Sequence, residues 1–169
     1  MIHILLSLPL LAFPVLVIWA AVRDATSYTI PNWIPLALIG AFPVAAVATG
    51  LPLATAGVDL AVGAVALFAG MAMFALRWIG GGDAKLFAAA ALWLGLSPSL
   101  TYLAVTALAG GALAVGLLAL RSAMLKPYVP QGPSWFARLA SPGENVPYGV
   151  AIALGALAAF PASGLAVHI

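Results

Sequence analysis

Long apolar stretches recur down this chain, each parted from the next by a short break where glycine, proline and the few charged residues collect. A stretch of about 20 apolar residues is what a helix needs to cross the hydrocarbon core of a bilayer. Hydrophobic residues make up 65% of the sequence and charged residues 6%, far from the roughly half-apolar, quarter-charged make-up of soluble domains. Mean hydropathy is +1.19. The expected fold is all-α, a polytopic membrane helix bundle of about six transmembrane helices with short loops. With no room left for a soluble part, residues 1–169 read as a single transmembrane domain.

The apolar runs place helices at Ile4–Val22, Trp33–Thr49, Val58–Leu76, Ala84–Leu96, Leu100–Leu120 and Tyr148–Val167. The fourth is short for a full crossing and is expected to tilt, extend at its ends or sink toward one face. The longest break runs from Arg121 to Pro147. If the helices alternate in direction, Arg23, Arg77, Lys85, Arg121, Lys126 and Arg138 all fall on one side, which the bias of basic residues in membrane proteins makes cytoplasmic. No Lys or Arg precedes the first apolar run, and Arg23 follows it, so Met1 to Ala21 reads as a retained first helix rather than a signal peptide.

Several function classes fall away at once. The net charge of +2 comes from basic residues scattered over several loops, which make no nucleic-acid-binding stripe. Cysteine is absent, which removes disulfides, a thiol nucleophile and thiolate metal sites. His3 and His168 lie near opposite ends, without companions for a metal site.

Four acidic residues remain, and two of them, Asp24 and Asp83, sit at the edges of predicted spans on the same side. Carboxylates in such places are costly and point by default to a working site. Asp24 closes the first helix, where the negative end of the helix dipole disfavours it; an ion pair with Arg23 is the plain alternative. Asp83 follows Gly80-Gly81-Gly82 and opens the next helix, which is also what an ordinary N-cap looks like. The triple glycine favours a backbone approached closely by another chain, such as an extended peptide. Held close together, two carboxylates share a proton and can work as an aspartic-protease pair, one taking a proton from water and the other giving one to the peptide. Such chemistry needs no metal or other cofactor.

Other residues read more simply. Thr26, Ser27, Thr29 and Asn32 fit loop and capping chemistry, and Pro31 a helix start. Lys85 either pairs with a substrate carboxylate or marks the inner boundary. Asp59 is expected at the opposite interface, near a helix N-terminus. Trp33, Trp78 and Trp93 read as interfacial anchors, and Trp135 and Phe136 as lying on the cytoplasmic surface. Glu144 sits in the loop before Val146-Pro147-Tyr148-Gly149.

Three segments together resemble the type IV prepilin peptidases, aspartic peptidases with a GxGD motif: Asp24-Ala25-Thr26-Ser27-Tyr28-Thr29-Ile30-Pro31-Asn32, then Gly80-Gly81-Gly82-Asp83-Ala84-Lys85-Leu86, and Val146-Pro147-Tyr148-Gly149-Val150-Ala151-Ile152. The resemblance implies that Asp24 and Asp83 are the catalytic pair and that the partner is a prepilin, cut on the cytoplasmic side just before its hydrophobic segment. It implies a bacterial inner membrane, or an archaeal one for preflagellin-type relatives. Gly80, Gly81, Gly82, Lys85, Pro31 and Asn32 are the candidate substrate-binding residues. Larger members carry an added cysteine-bearing region and also methylate the new N-terminus. With a short first loop and no cysteine, this chain resembles the small, peptidase-only form of tight-adherence (Flp-type) pili. A small cation- or proton-coupled transporter and a non-catalytic pilus-assembly scaffold remain open as alternatives, as does the oligomeric state.

Overall fold

The computed structural model describes residues 2–122 and 132–167, with side chains from residue 9 onward. Lys126, His168 and the His3 side chain, which entered the sequence reading, lie outside the described residues. The fold is a helical bundle, without strands among the described residues. Its helices are α1 (Ile2–Ser27), α2 (Trp33–Thr49), α3 (Leu53–Ala75), α4 (Gly81–Leu94), α5 (Ser99–Leu120), α6 (Ser134–Leu139), α7 (Tyr148–Ala159) and α8 (Gly164–Val167), with a 3-10 turn at Phe160–Ala162. Pro9–Ser27, Leu53–Ala75 and Ser99–Leu120 are long and apolar enough to cross a membrane, and α2 and α7 are shorter apolar helices.

Differences from the sequence reading fall at helix ends. The first helix continues past Val22 to Ser27, so Asp24 lies inside its last turn. The expected last helix, Tyr148–Val167, breaks in two: Pro161 cannot donate a helical hydrogen bond, the chain tightens into the 3-10 turn, and Ser163 is extended before α8. The long loop after Arg121 contains the short helix α6, which the sequence reading did not anticipate.

α4 is the centre of the bundle. Though only 14 residues long, it packs on α3, α2 and α7 and touches α1 and α5, and every residue from Ala88 to Leu94 is buried. A helix surrounded on all faces needs no polar side, and its run of four alanines, Ala88 to Ala91, lets neighbours come close. Lipid offers no hydrophobic drive between helices, so close packing through small residues must hold them. That is what the contacts show: a Cβ placed on Gly63 of α3 would lie 2.9 Å from Leu92 Cβ, and one on Gly70 would lie 3.1 Å from Ala84 Cβ. The α5–α7 pair is built likewise, with Gly155 against Thr106 and Gly110 against the Tyr148 ring.

Trp93 corrects an expectation. It is not an interfacial anchor but is fully buried, with its indole N–H donating to the Leu38 carbonyl at 2.8 Å and its ring against Phe13 and Phe42. The helical pattern of α4 carries it inward, where its polar N–H finds a partner as a buried indole must. Trp33 and Trp78 are exposed, 53% and 66%. Trp93→Ala is therefore expected to destabilise the bundle by about 3–5 kcal/mol, and Trp33→Ala by less than about 0.5 kcal/mol, read as thermal unfolding of the purified protein in detergent.

Candidate active site

Helix ends build the site. Asp24 lies in the last turn of α1, Asp83 in the first turn of α4, and the start of α7 meets Asp24. Asp24 is 5% exposed and Asp83 8%. Both line one cavity of about 290 Å³.

Each carboxylate is held by backbone N–H groups at a helix N-terminus, where unpaired donors and the positive end of the helix dipole favour an anion. Gly149, in the first turn of α7, donates to Asp24 Oδ2 at 2.7 Å. Asp83 is not the N-cap of α4, as the sequence reading had it as an alternative; the cap is Gly80, and Asp83 reaches back to accept the Gly80 N–H at Oδ2, 3.2 Å. This is the acidic half of a capping box. Its other oxygen, Oδ1, is buried with no hydrogen-bond partner among the described residues. The dipole conflict at Asp24 is thereby explained: the unfavourable end of its own helix is offset by the favourable end of α7.

Two backbone positions beside the cavity are unusual. Tyr28 and Arg77 have φ of 52° and 61°, the non-glycine residues with positive φ among the described residues, and both line the cavity. Arg77 closes α3 with paired bonds, Arg77 N–H to Phe74 O at 2.9 Å and Trp78 N–H to Met73 O at 2.9 Å. Glycine normally fills this left-handed place, and does so at the opposite end of the bundle, where Gly50 ends α2 with φ 68°. Bulky side chains in that conformation cost on the order of 1–2 kcal/mol, and such outliers gather at functional sites. The Tyr28 hydroxyl is buried with no hydrogen-bond partner among the described residues; burial pushes its phenol above the ordinary value, and the charge of Arg121 opposes that.

The remaining candidates separate into two places. Gly80 lines the aspartate cavity. Gly81, Lys85 and Asn32 line a second, apolar groove of about 790 Å³ between α2, α3 and α4, where Lys85 Nζ donates to Asn32 Oδ1 at 2.8 Å. Phe74 lines both cavities. At Gly82 the close neighbour is this chain's own Ile30, whose Cβ would lie 3.1 Å from an added methyl. Pro31, half-buried, accepts the Ile34 N–H at 3.1 Å. Thr26 and Ser27 bond back to Val22 O and Arg23 O at 2.7 and 2.6 Å, the local capping chemistry expected of them. Asp59 is buried against Gly95 at the far end of α4, the end away from Asp83. Glu144 is exposed, while its neighbours Asn145 and Val146 line the aspartate cavity.

Gly149, Tyr28 and Arg77 carry site geometry that the sequence reading gave no role. Gly149 stands in the third of the segments quoted above, but its part depends on a neighbour 125 positions away, which no local pattern reveals. A methyl on Gly149 would lie 2.9 Å from Asp24 Cβ and from Ile30 Cδ1. Gly149→Ala is expected to destabilise by about 1–3 kcal/mol through overpacking, whereas Gly111→Ala, with nothing within 4 Å, leaves stability equal or raises it by up to about 1 kcal/mol; detergent melting of both variants checks the contrast.

Neither the curated proteins nor the solved structures hold a significant match to this chain. The model of the type IV leader peptidase family matches residues 11–115, more than half of the sequence, and that span contains both aspartates, the glycine run, most of α1, all of α2 to α4 and most of α5. The chain belongs to the type IV leader peptidase family.

Proposed function

We propose that the chain is an intramembrane aspartic endopeptidase that removes the leader from type IV prepilins of the tight-adherence (Flp) type at the cytoplasmic membrane boundary, with Asp24 and Asp83 as its catalytic pair. Membership of the family supports peptidase activity in general. The observation that carries the finer reading is the meeting of two buried carboxylates at one small cavity, one of them with a buried oxygen left unpaired.

Two carboxylates facing one cavity do not ionise together easily, so the resting pair holds one proton. The ionised member takes a proton from a water lodged between them, and that water attacks the scissile carbonyl carbon. The protonated member supplies its proton to the carbonyl oxygen. Collapse of the tetrahedral intermediate breaks the C–N bond as the amine leaves with a proton, and the leader departs with a new carboxylate. Gly149 and Gly80 keep one oxygen of each aspartate occupied, which leaves the other oxygens for water and substrate.

The apolar groove supports a substrate whose cut lies just before an apolar segment. Its wall on α3 runs from Leu60 to Phe74, about 21 Å of helix, and Phe74 joins it to the aspartate cavity. We assign the backbone of Gly80 and Gly81 to the peptide flanking the cut, and Lys85, Asn32 and Pro31 to the rim where it passes from cavity to groove. Arg23, Arg77, Lys85, Arg121 and Arg138 belong to the segments at the aspartate end of the bundle, which supports a cytoplasmic site.

Co-expression with leader-bearing pilins tests the reading. Wild type is expected to convert the pilin to a faster-migrating form on a gel, and Asp24→Asn and Asp83→Asn each to abolish the conversion while still inserting in the membrane. Full cleavage by either variant would refute the pair.

A further inference from the structure

We infer that Arg121 is a positioning residue of this site, a guanidinium that fixes the irregular segment before α7 and so sets where the Gly149 N–H meets Asp24; the inference rests on the peptidase reading of the same site.

The segment from Ala140 to Pro147 has no regular secondary structure, yet it contributes Asn145 and Val146 to the cavity wall and delivers Gly149 to Asp24. Backbone without helix or sheet partners needs other groups to satisfy and hold its carbonyls. Arg121, immediately after α5, supplies them from one side chain. Its Nε donates to Leu139 O at 2.8 Å, Nη1 to Glu144 O at 2.7 Å and Nη2 to Asn145 O at 2.9 Å. All three acceptors are main-chain carbonyls: Leu139 stands just before the segment, and Glu144 and Asn145 lie within it. The last lies four residues before Gly149.

This use of arginine is specific to its shape. A planar fork presents several donors in fixed directions, whereas lysine offers a point charge on a flexible stem. Hydrogen bonds from a charged donor are also about twice as strong as neutral ones. A second arginine ties the same segment to the other side of the site: Arg138, on α6, donates through Nη2 to Thr26 O at 2.6 Å, two residues beyond Asp24 in α1. The two arginines thus tie residues 138–145 to the end of α5 on one side and to the end of α1 on the other. No hydrogen bond joins Arg121 to either aspartate among the described residues; it holds the backbone that leads to Gly149, and its charge also reaches Tyr28 on the cavity wall.

The expected consequence is a loss in the chemical step rather than in substrate capture, because the apolar groove is walled by α2, α3 and α4 and not by this segment. A displacement of about 1 Å at a catalytic group can cost about 100-fold in rate. Arg121→Lys keeps the charge and loses the fork, so kcat on a leader-bearing pilin peptide is expected to fall about 10- to 100-fold with KM changed less than about threefold. A role confined to folding would instead lower the amount of inserted protein and leave kcat per folded molecule intact.

A second measurement does not depend on catalysis. The chain has no cysteine, so Glu144→Cys, at an exposed position, gives a single site for a nitroxide spin label. The label is expected to be immobilised with Arg121 present and to become mobile in the Arg121→Lys background at unchanged melting temperature. If wild type cleaves no pilin peptide but the label still mobilises, the peptidase reading fails and the clamp stands. Unchanged spectra, or Arg121→Lys turnover equal to wild type, would overturn the inference.

Discussion

One backbone N–H, that of Gly149, is the meeting point on which the rest of the site depends. Two carboxylates in a mostly apolar bundle repel each other and lose hydration, a combination that would drive them apart or out to solvent. Here they stay because helix N-termini face them: α4 holds Asp83 through Gly80, and α7 holds Asp24 through Gly149. The fixed dipoles stand in for water. The donors occupy one oxygen on each aspartate and leave Asp83 Oδ1 unpaired, which is the state a group needs if it is to exchange protons with a substrate rather than sit in a closed structural pair.

The bundle serves that arrangement. For α7 to reach Asp24 it must pack closely along α5 and α1, and small residues on its face permit this, with Gly155 against Thr106 of α5. For Asp83 to be fixed, α4 must be immobile, and it is enclosed by neighbours and pinned by Trp93 through the Leu38 carbonyl. The irregular backbone at the site is confined to the helix ends and to the segment carried by Arg121. Left-handed backbone at Tyr28 and Arg77 shows where helix termination is done with side chains that the cavity uses, while Gly50 performs the same turn where no chemistry is needed.

Much of this was legible in the sequence, for physical reasons that can be named. Continuous apolar runs announce membrane helices whatever their partners, so α2 appears at Trp33–Thr49 as expected and α5 begins one residue early. Carboxylates are so costly in apolar surroundings that Asp24 and Asp83 stood out without any structure. What was hidden depends on tertiary neighbours. Trp93 looked like an anchor because a tryptophan near a helix end reads the same whether it meets headgroups or a buried carbonyl. Asp83 looked like an N-cap because the helix start could not be fixed to within the three residues that decide the matter. The burial of Asp59 comes from Gly95, 36 positions on at the end of α4, which no local pattern reveals. The role of Gly149 is wholly long-range, as is that of Arg121, whose acceptors begin 18 residues away.

The central claim is that Asp24 and Asp83 act as one unit, and the most direct test is the residual single-turnover rate of purified wild type, both single Asp→Asn variants and the double variant on one leader-bearing peptide. Residues that act as a unit are strongly non-additive. The account predicts that each single substitution loses about as much rate as the double does. Losses that multiply, or a single variant that keeps substantial turnover, would contradict it.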